Sequence, residues 1–350
     1  MSKDLKDKTV EELGKIVVGL GQKKYLAEYI FSFIQTKEAT DISQITPLGK
    51  ALRTKLAEQG HFISQLKILN KLTDPDGTIK YLFELSDGNR IETVLLCDGD
   101  RKTLCISTQV GCAMNCIFCA TAKIKLQRNL TAAEIVDQVN VVQKDVGRIS
   151  NVVYMGMGEP LQNYDAVVKS IRMLNHSAGK NIGIRHITVS TCGIVPAIKK
   201  LADEDIHPRL AVSLNAPIDN LRNKLMPINA RYPIKDVLAA ADLYQRKTKQ
   251  RVSFEFVLIK GVNDTILHAR MLAKLLRPVR CRINLIEYNP HKLCEFSPSG
   301  KERIGRFAKV LEDAGTRATI RFKMGQGINA ACGQLGADWA EDAIKTPEDR

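Results

Sequence analysis

The chain contains no apolar run of the length, about 20 residues, that a membrane-spanning helix requires. Its opening, Met1-Ser-Lys-Asp-Leu-Lys-Asp-Lys, mixes both signs of charge and leads into no cleavable apolar segment, so a cytoplasmic protein that engages no membrane is expected. A disulfide framework is missing too. Nine cysteines are an odd number, scattered over a long chain, and read better as ligands, catalytic thiols and small buried residues. There is no internal repeat and no low-complexity tract. Acidic residues are in deficit, 38 against 52 Lys and Arg, which leaves a net charge of +14 and a pI near 9.3. Residues 1–90 hold 14 basic and 12 acidic side chains, so +12 of the excess falls on residues 91–350. That excess favours a polyanionic partner through counterion release, but charge alone does not separate nucleic acid from an ordinary solvated surface.

What is present suffices for a folded protein: 350 residues, 44% of them apolar, can bury a sizeable core. The chain is organised around Gly111-Cys112-Ala-Met-Asn-Cys116-Ile-Phe-Cys119-Ala-Thr, a C-x3-C-x2-C spacing just after the strand-like run Leu104-Cys-Ile-Ser-Thr. Three thiolates are the informative number. A structural zinc is closed by four protein ligands, whereas a four-iron cluster held by three cysteines leaves one iron open to an exogenous ligand. A plainer reading, with Met114, Ile117 and Phe118 as core and the cysteines as small buried residues, accounts for the apolar positions but not for the spacing.

Around this stretch the pattern predicts short amphipathic helices over residues 9–35 and 47–59, broken at Gly19, Gly21 and Pro47. A β-hairpin follows, Thr78–Leu85 and Arg90–Leu96 about the turn Ser86-Asp-Gly-Asn. From there strands alternate with helices. Leu104–Ser107, Asn151–Met155, His186–Ser190, Arg209–Leu214, Val252–Ile259 and Arg282–Ile286 are near-continuous apolar runs of the kind a parallel sheet buries on both faces, and Ala318–Phe322 is a final strand. Thr131-Ala-Ala-Glu134 and Ser299-Gly-Lys-Glu302 fit the capping box. The fold class is α/β, an incomplete barrel of six β/α units. The expected domains are an N-terminal accessory module over 1–90, a catalytic domain over 91–336 and a polar tail over 337–350. Gly325-x-Gly327-x-x-Ala330 imitates a dinucleotide fingerprint, but too little chain follows it to build that fold, so it is read as a turn-forming loop.

In β/α barrels reactive groups gather at the C-terminal strand ends. The cysteine triplet follows the first strand here, Gly156-Met-Gly158-Glu159-Pro160 the second, Ser190 ends the third, Ser213-Leu214-Asn215 the fourth, and Asn289 follows the sixth. Singly, each would be a satisfied turn residue. Together with Gln109-Val-Gly-Cys-Ala-Met-Asn-Cys-Ile-Phe-Cys-Ala-Thr-Ala and Ala330-Ala-Cys332-Gly-Gln-Leu, they resemble the radical S-adenosylmethionine (SAM) enzymes, and within them the RlmN/Cfr group of RNA adenosine methyltransferases, from about Glu92 to Leu335.

That resemblance implies a radical SAM barrel with a small N-terminal helical accessory domain and a C-terminal catalytic-cysteine loop. Cys112, Cys116 and Cys119 would hold a [4Fe-4S] cluster, and Gly158, Glu159, Ser190, Ser213, Leu214, Asn215 and Asn289 would contact SAM. Glu92 would be the proton acceptor, Cys332 the methylated cysteine and Cys105 the thiol that resolves the adduct; Cys97, Cys192, Cys281 and Cys294 keep the reading of buried structural thiols. Two SAM molecules would be used per turnover, one methylating Cys332 and one cleaved to a deoxyadenosyl radical, with a transient Cys105–Cys332 disulfide left for exchange with a thiol reductant. The implied substrates are an adenosine of the peptidyl-transferase loop of 23S rRNA and the adenosine 3′ of some tRNA anticodons, methylated at carbon 2. The implied protein is a monomer that takes electrons from a flavodoxin or ferredoxin and contacts RNA through Lys23, Lys24, Arg53 and Lys55. Methylation at carbon 8, as in Cfr-like enzymes, uses the same cysteines, so residue types leave the regiochemistry open. Two other classes are also weighed: a non-catalytic iron–sulfur or zinc RNA-binding protein, which requires a fourth fixed ligand, and a glycyl-radical activator, which does not need Cys105 and Cys332 together. The sequence departs from the group's pattern at Asn215, where many members have His, and at Gly325-Gln-Gly, where Gly-Asp-Asp is common.

Overall fold

The computed structural model describes residues 2–321 and 324–340. Helices α1 (Val10–Gly19), α2 (Leu26–Gln35) and α3 (Lys50–Glu58) open the chain and bury one face each, among them Leu13, Val17, Ile30, Ile34, Leu52 and Leu56. Thr9 and Glu12 cap α1 reciprocally, a T-x-x-E signal of the same kind as Thr131-x-x-Glu134, although the sequence reading had named only the latter. Three strands follow, β1 (Lys67–Thr73), β2 (Ile79–Glu84) and β3 (Arg90–Asp98), then β4 (Arg101–Cys105). A two-stranded ribbon, β5 (Gln109–Val110) with β6 (Arg128–Asn129), brackets the cysteine loop and the short α4 (Ala120–Lys123).

The remaining chain alternates regularly: α5 (Ala132–Val146), β7 (Asn151–Tyr154), α6 (Tyr164–Asn175), β8 (Ile187–Thr191), α7 (Val195–Ala202), β9 (Arg209–Ser213), α8 (Asp219–Leu225), α9 (Ile234–Thr248), β10 (Val252–Leu258), α10 (Ile266–Leu276), β11 (Cys281–Glu287), α11 (Lys301–Asp313) and β12 (Ala318–Arg321). One ten-stranded sheet runs β1-β2-β3-β4-β7-β8-β9-β10-β11-β12. From β4 onward all neighbours are parallel, which makes the partial barrel expected from the alternating pattern. Side chains such as Val152, Val189, Leu210, Phe254 and Ile283 are fully enclosed between sheet and helices, as in a sheet covered on its outer face. The hairpin continues this sheet through antiparallel β3–β4 pairing, so the sheet itself crosses residue 90.

Three features differ from the expectation. β1 is exposed at every residue, so no buried alternation announces it in the sequence. Helix α11 has no capping box: Gly300, with φ of 84°, is the residue before it and donates its N–H to Glu287 Oε1 at 2.6 Å, leaving Ser299 outside the cap. The polar tail does not begin at Ala337, because Ala337, Trp339 and Ala340 are buried; residues 341–350 and Phe322, the expected last residue of the final strand, lie outside the described residues. No helix among the described residues is long and apolar enough to cross a membrane.

Candidate active site

The strand ends at the C-terminal side of the barrel carry their own small apolar cluster: Cys112, Met114, Phe118, Cys192, Ala216, Leu225, Met226, Ile259 and Tyr288. The bland reading of Met114 and Phe118 as core is therefore right for those two side chains, and the packing is what holds the cysteine loop. Gly111 makes the loop possible, since at its φ of 74° a Cβ would lie 1.7 Å from the Lys125 carbonyl oxygen. Ile117 N–H donates to Leu225 O at 3.1 Å, and the carbonyls of Ile117 and Phe118 meet Cys294 Sγ at 2.9 Å and His291 Nε2 at 3.2 Å.

Burial pushes the Cys112 thiol up to about 12 and raises those of Cys116 and Cys119; the neighbouring Cys119, Cys112 and Glu159 charges raise Cys116 further. Thiols so placed shed their protons only to a cation that takes the charge. Among the described residues no three His, Cys, Asp or Glu side chains converge on a single ion. A four-iron cluster asks for something different, because each of its three cysteines binds a different iron and the sulfurs stay apart. Three thiols on one loop are a donor set suited to such a cluster. Burial raises the Cys192 thiol, Glu159, Cys116 and Cys112 lie close enough to raise it further, and its N–H is bonded to the Glu159 carboxylate at 2.7 Å.

The Gly156-Met-Gly-Glu turn packs directly on the strand that precedes the cysteines. A Cβ on Gly156 would stand 2.7 Å from the Ile106 carbonyl, and one on Gly158, whose φ is 96°, 2.6 Å from Gln109 Cβ. Glu159 is buried; its Oε1 accepts from Leu161 N–H at 3.0 Å and its Oε2 from Cys192 N–H at 2.7 Å, while its own N–H donates to Gln109 Oε1 at 2.8 Å. The carboxylate thus ties the turn after β7 to the loop after β8. Burial raises its pKa, and the N–H bonds oppose that rise. A second tie, invisible in the sequence pattern, is the buried Arg222. Its guanidinium donates to Leu214 O at 3.0 Å, Ser213 O at 3.0 Å and Cys192 O at 2.6 Å, gathering the carbonyls beyond β8 and β9.

Asn215 is buried with φ of 58°, a conformation that Asn tolerates better than most residues. Its Oδ1 accepts from Val257 N–H at 2.8 Å and its Nδ2 faces Met226 Sδ at 3.2 Å, so its side chain serves the strand ends. Ser190 and Ser213 are half-buried at the ends of β8 and β9, and Leu214 is buried.

The C-terminal loop lies across these elements. Ala120 N–H donates to Gly333 O at 2.8 Å, Thr121 Oγ1 to Leu335 O at 2.8 Å, and Asn289 Nδ2 to Cys332 O at 3.1 Å. Cys332 is solvent-accessible at this junction, yet the surrounding protein and then Glu255 raise its thiol pKa. The half-buried Cys105 is raised by burial and by Cys332, which places the two thiols within each other's field. All nine cysteines are free thiols, so the disulfide implied for one stage of the cycle is not formed here. Glu92 is buried beside Lys80 at 3.3 Å and accepts from Gly336 N–H at 2.8 Å and Trp339 Nε1 at 3.2 Å. It anchors the segment just past the cysteine loop.

The loop's first half is held from the N-terminal hairpin. Asp76 Oδ2 accepts from Gly325 N–H at 2.8 Å and Asp74 Oδ2 from Gly327 N–H at 2.9 Å. The Gly325-Gln-Gly segment is therefore ordered by carboxylates from another part of the chain, even though its own two common aspartates are absent. The double variant Asp74→Ala/Asp76→Ala is expected to speed hydrogen exchange at the amides of 325–330 by roughly 10- to 100-fold, the loss of charge-assisted bonds of about 1.5–3 kcal/mol each. Exchange mass spectrometry checks this; unchanged protection there would show that the loop is held by other contacts.

The Radical SAM superfamily pattern matches residues 106–273, and that of the ribosomal RNA large subunit methyltransferase N-terminal domain matches residues 3–61. A probable dual-specificity RNA methyltransferase RlmN of Thermoanaerobacter sp. (strain X514) is 46% identical over 333 residues, 95% of this chain and 97% of its own length. The corresponding protein of Dictyoglomus thermophilum is 48% identical over 332 residues, 94% of this chain and 95% of its own. The crystal structure of a radical SAM methyltransferase from Sphaerobacter thermophilus superposes with a TM-score of 0.89 at 44% identity, covering 95% of this chain and 99% of that one.

Proposed function

The chain belongs to the RlmN family of radical SAM RNA methyltransferases, and from that premise we propose that it methylates carbon 2 of an adenosine in the peptidyl-transferase loop of 23S rRNA and of the adenosine 3′ of some tRNA anticodons, by way of an S-methylated Cys332. The observation that carries the reading is the seating of the Cys332 loop on the residues just after Cys119, with Cys105 within its field. Carbon 2 of adenine is electron-poor and does not attack a methyl sulfonium as a nucleophile, so a polar transfer fails and a carrier cysteine beside radical chemistry is needed.

Cys112, Cys116 and Cys119 would hold the cluster. Gly158, Glu159, Ser190, Ser213, Leu214, Asn215 and Asn289 shape the cleft for SAM, with Glu159 and Arg222 fixing the loops and Asn215 acting through its backbone and its hold on β10. When bound, cluster and SAM together supply one-electron chemistry that removes a hydrogen atom from the S-methyl group of Cys332. The carbon so activated on Cys332 bonds to carbon 2 of the base. Glu92, both of whose oxygens are engaged by Lys80, Gly336 and Trp339, or a water relay takes the proton. Cys105, as its thiolate, then attacks Cys332 Sγ and breaks the sulfur–carbon bond; the methylene carbon takes up the proton that Cys105 gave up, the unpaired electron of the adduct would go back to the one-electron redox centre, and the products are the methylated RNA and a disulfide that an external thiol reduces. Cys332 would receive its methyl group from one SAM, a second would be used in each turnover, and a flavodoxin or ferredoxin is the proposed electron donor. The target base must leave its stack to reach Cys332, which favours loops over duplexes; helices α1 to α3 are assigned to RNA holding.

Mass spectrometry of rRNA and tRNA from cells with and without the gene tests the reading. Loss of 2-methyladenosine supports it, and loss of 8-methyladenosine alone overturns it. Glu159→Ala is expected to keep its iron but bind SAM at least about 10-fold more weakly, because two buried N–H donors, each worth about 1–3 kcal/mol when unpaired, lose their acceptor and the loops part. Glu159→Gln is expected to fail similarly, since its amide turns an N–H toward one of those donors. Iron loss with unchanged SAM affinity would remove Glu159 from this role.

A further inference from the structure

The opposite, N-terminal mouth of the barrel carries a charge cluster that the chemistry above does not use. Arg209 begins β9, Arg251 immediately precedes β10, Arg282 is the second residue of β11, and Arg317 immediately precedes β12. Val252 pairs with Leu210 and Ser253 with Arg282, so Arg251 stands beside Arg209; Ile283 pairs with Ala318, so Arg282 stands beside Arg317. In-register residues of parallel strands share a face, and that face recurs every second residue. All four arginines therefore fall on the face of Ser253 and Glu255, whose side chains bond to each other at 3.0 Å. Phe256, one residue on, points outward to Phe307 of α11. This inner face runs from the arginines up to Glu255, whose charge reaches Cys332.

The arginines are unbalanced. The acidic residues of the adjoining loops are taken elsewhere: Asp203 by Lys247, Glu204 and Asp205 by Arg172, and Asp313 by Lys309. Among the described residues no carboxylate pairs with any of the four. Arg282 is held below the ordinary guanidinium value, first by Arg317, then by burial and by Arg251 and Arg209. Like charges side by side on neighbouring strands cost stability unless an anion covers them. Guanidinium forks match phosphate oxygens, and the polyanion present at every turnover of an RNA methyltransferase is its RNA.

We infer that Arg209, Arg251, Arg282 and Arg317 form a second RNA-binding site, which grips backbone phosphates of the substrate away from the reacting adenosine. Strands of five to seven residues put this mouth ~20 Å from the Cys332 face, so it meets a part of a folded RNA outside the target loop. The inference rests on the RNA methyltransferase reading and adds a contact surface to it.

Filter binding of the full-length, cluster-loaded protein over a salt series tests it, using an unmodified tRNA transcript and a 23S rRNA fragment containing the peptidyl-transferase loop. The quadruple variant R209Q/R251Q/R282Q/R317Q is expected to bind both RNAs at least about 10-fold more weakly. Its plot of log K against log salt should be shallower by ~2, the loss of two to three phosphate contacts. The quadruple Lys variant should keep most of the slope, and RNA-independent SAM cleavage should be unchanged in both. The pairs R209Q/R251Q and R282Q/R317Q supply the same readout should the quadruple variant fold poorly. Unchanged affinity and slope, with wild-type RNA binding intact, would overturn the second site alone. A wild-type protein with no affinity for either RNA would overturn the RNA reading together with it.

Discussion

Cys105→Ala protein purified from cells is expected to carry RNA covalently attached through Cys332. If the carbon on Cys332 bonds to the base before Cys105 breaks the sulfur–carbon bond, removing Cys105 stops the cycle between those steps. The adduct should resist denaturant and high salt, since no counterion-dependent contact holds it. Nuclease digestion followed by peptide mass spectrometry should locate a nucleotide on the Cys332 peptide. The double variant Cys105→Ala/Cys332→Ala should lack it, having no sulfur to accept the methyl group. Burial and the nearness of Cys332 both raise the Cys105 thiol. A Cys105→Ala protein that turns over normally, or that keeps its cluster and SAM cleavage without accumulating adduct, would return Cys105 to the role of a buried residue at the end of β4.

Cys112→Ala, Cys116→Ala and Cys119→Ala are each expected to abolish both the iron–sulfur chromophore and SAM cleavage, a complete loss in place of a graded one. Two thiolates leave a cluster with two unprotected irons. Cys192 does not take over readily, because its N–H is bound to the Glu159 carboxylate, which fixes its backbone, and burial and Glu159 both raise its thiol. Iron and sulfide measured after anaerobic reconstitution check this. Full iron occupancy in any one variant would remove that cysteine from the ligand set.

Much of the site was legible because its chemistry is written in local spacing. Cys112, Cys116 and Cys119 lie within one loop, Gly156 to Glu159 within one turn, and neither needs a distant partner to be recognised. Glu92, Cys105 and Cys332 came only from the resemblance, since nothing in their immediate neighbours distinguishes them from a strand carboxylate and two buried thiols. Arg222 was missed for a physical reason. It forms no ion pair among the described residues and repeats no motif; apart from one bond to Asn229 Oδ1, its guanidinium serves backbone carbonyls, and backbone carbonyls leave no signature in a sequence. Asp74 and Asp76, in the turn between β1 and β2, accept from Gly325 and Gly327, which joins positions some 250 residues apart.

The sequence by itself determined the alternation of strand and helix, the parallel sheet and the spacing of the three loop cysteines, because periodicity and spacing act over a few residues at a time. Only the tertiary structure decided which groups face one another. It turned the Glu159 carboxylate inward onto two loop amides, committed the Asn215 side chain to β10 and Met226, and brought the Cys332 loop down on α4. It also set four arginines from four strands on one inner face. Strand register decides such meetings, and register is a property of the whole sheet: shifting one strand by a single residue would send Arg282 to the opposite face while leaving every local pattern unchanged.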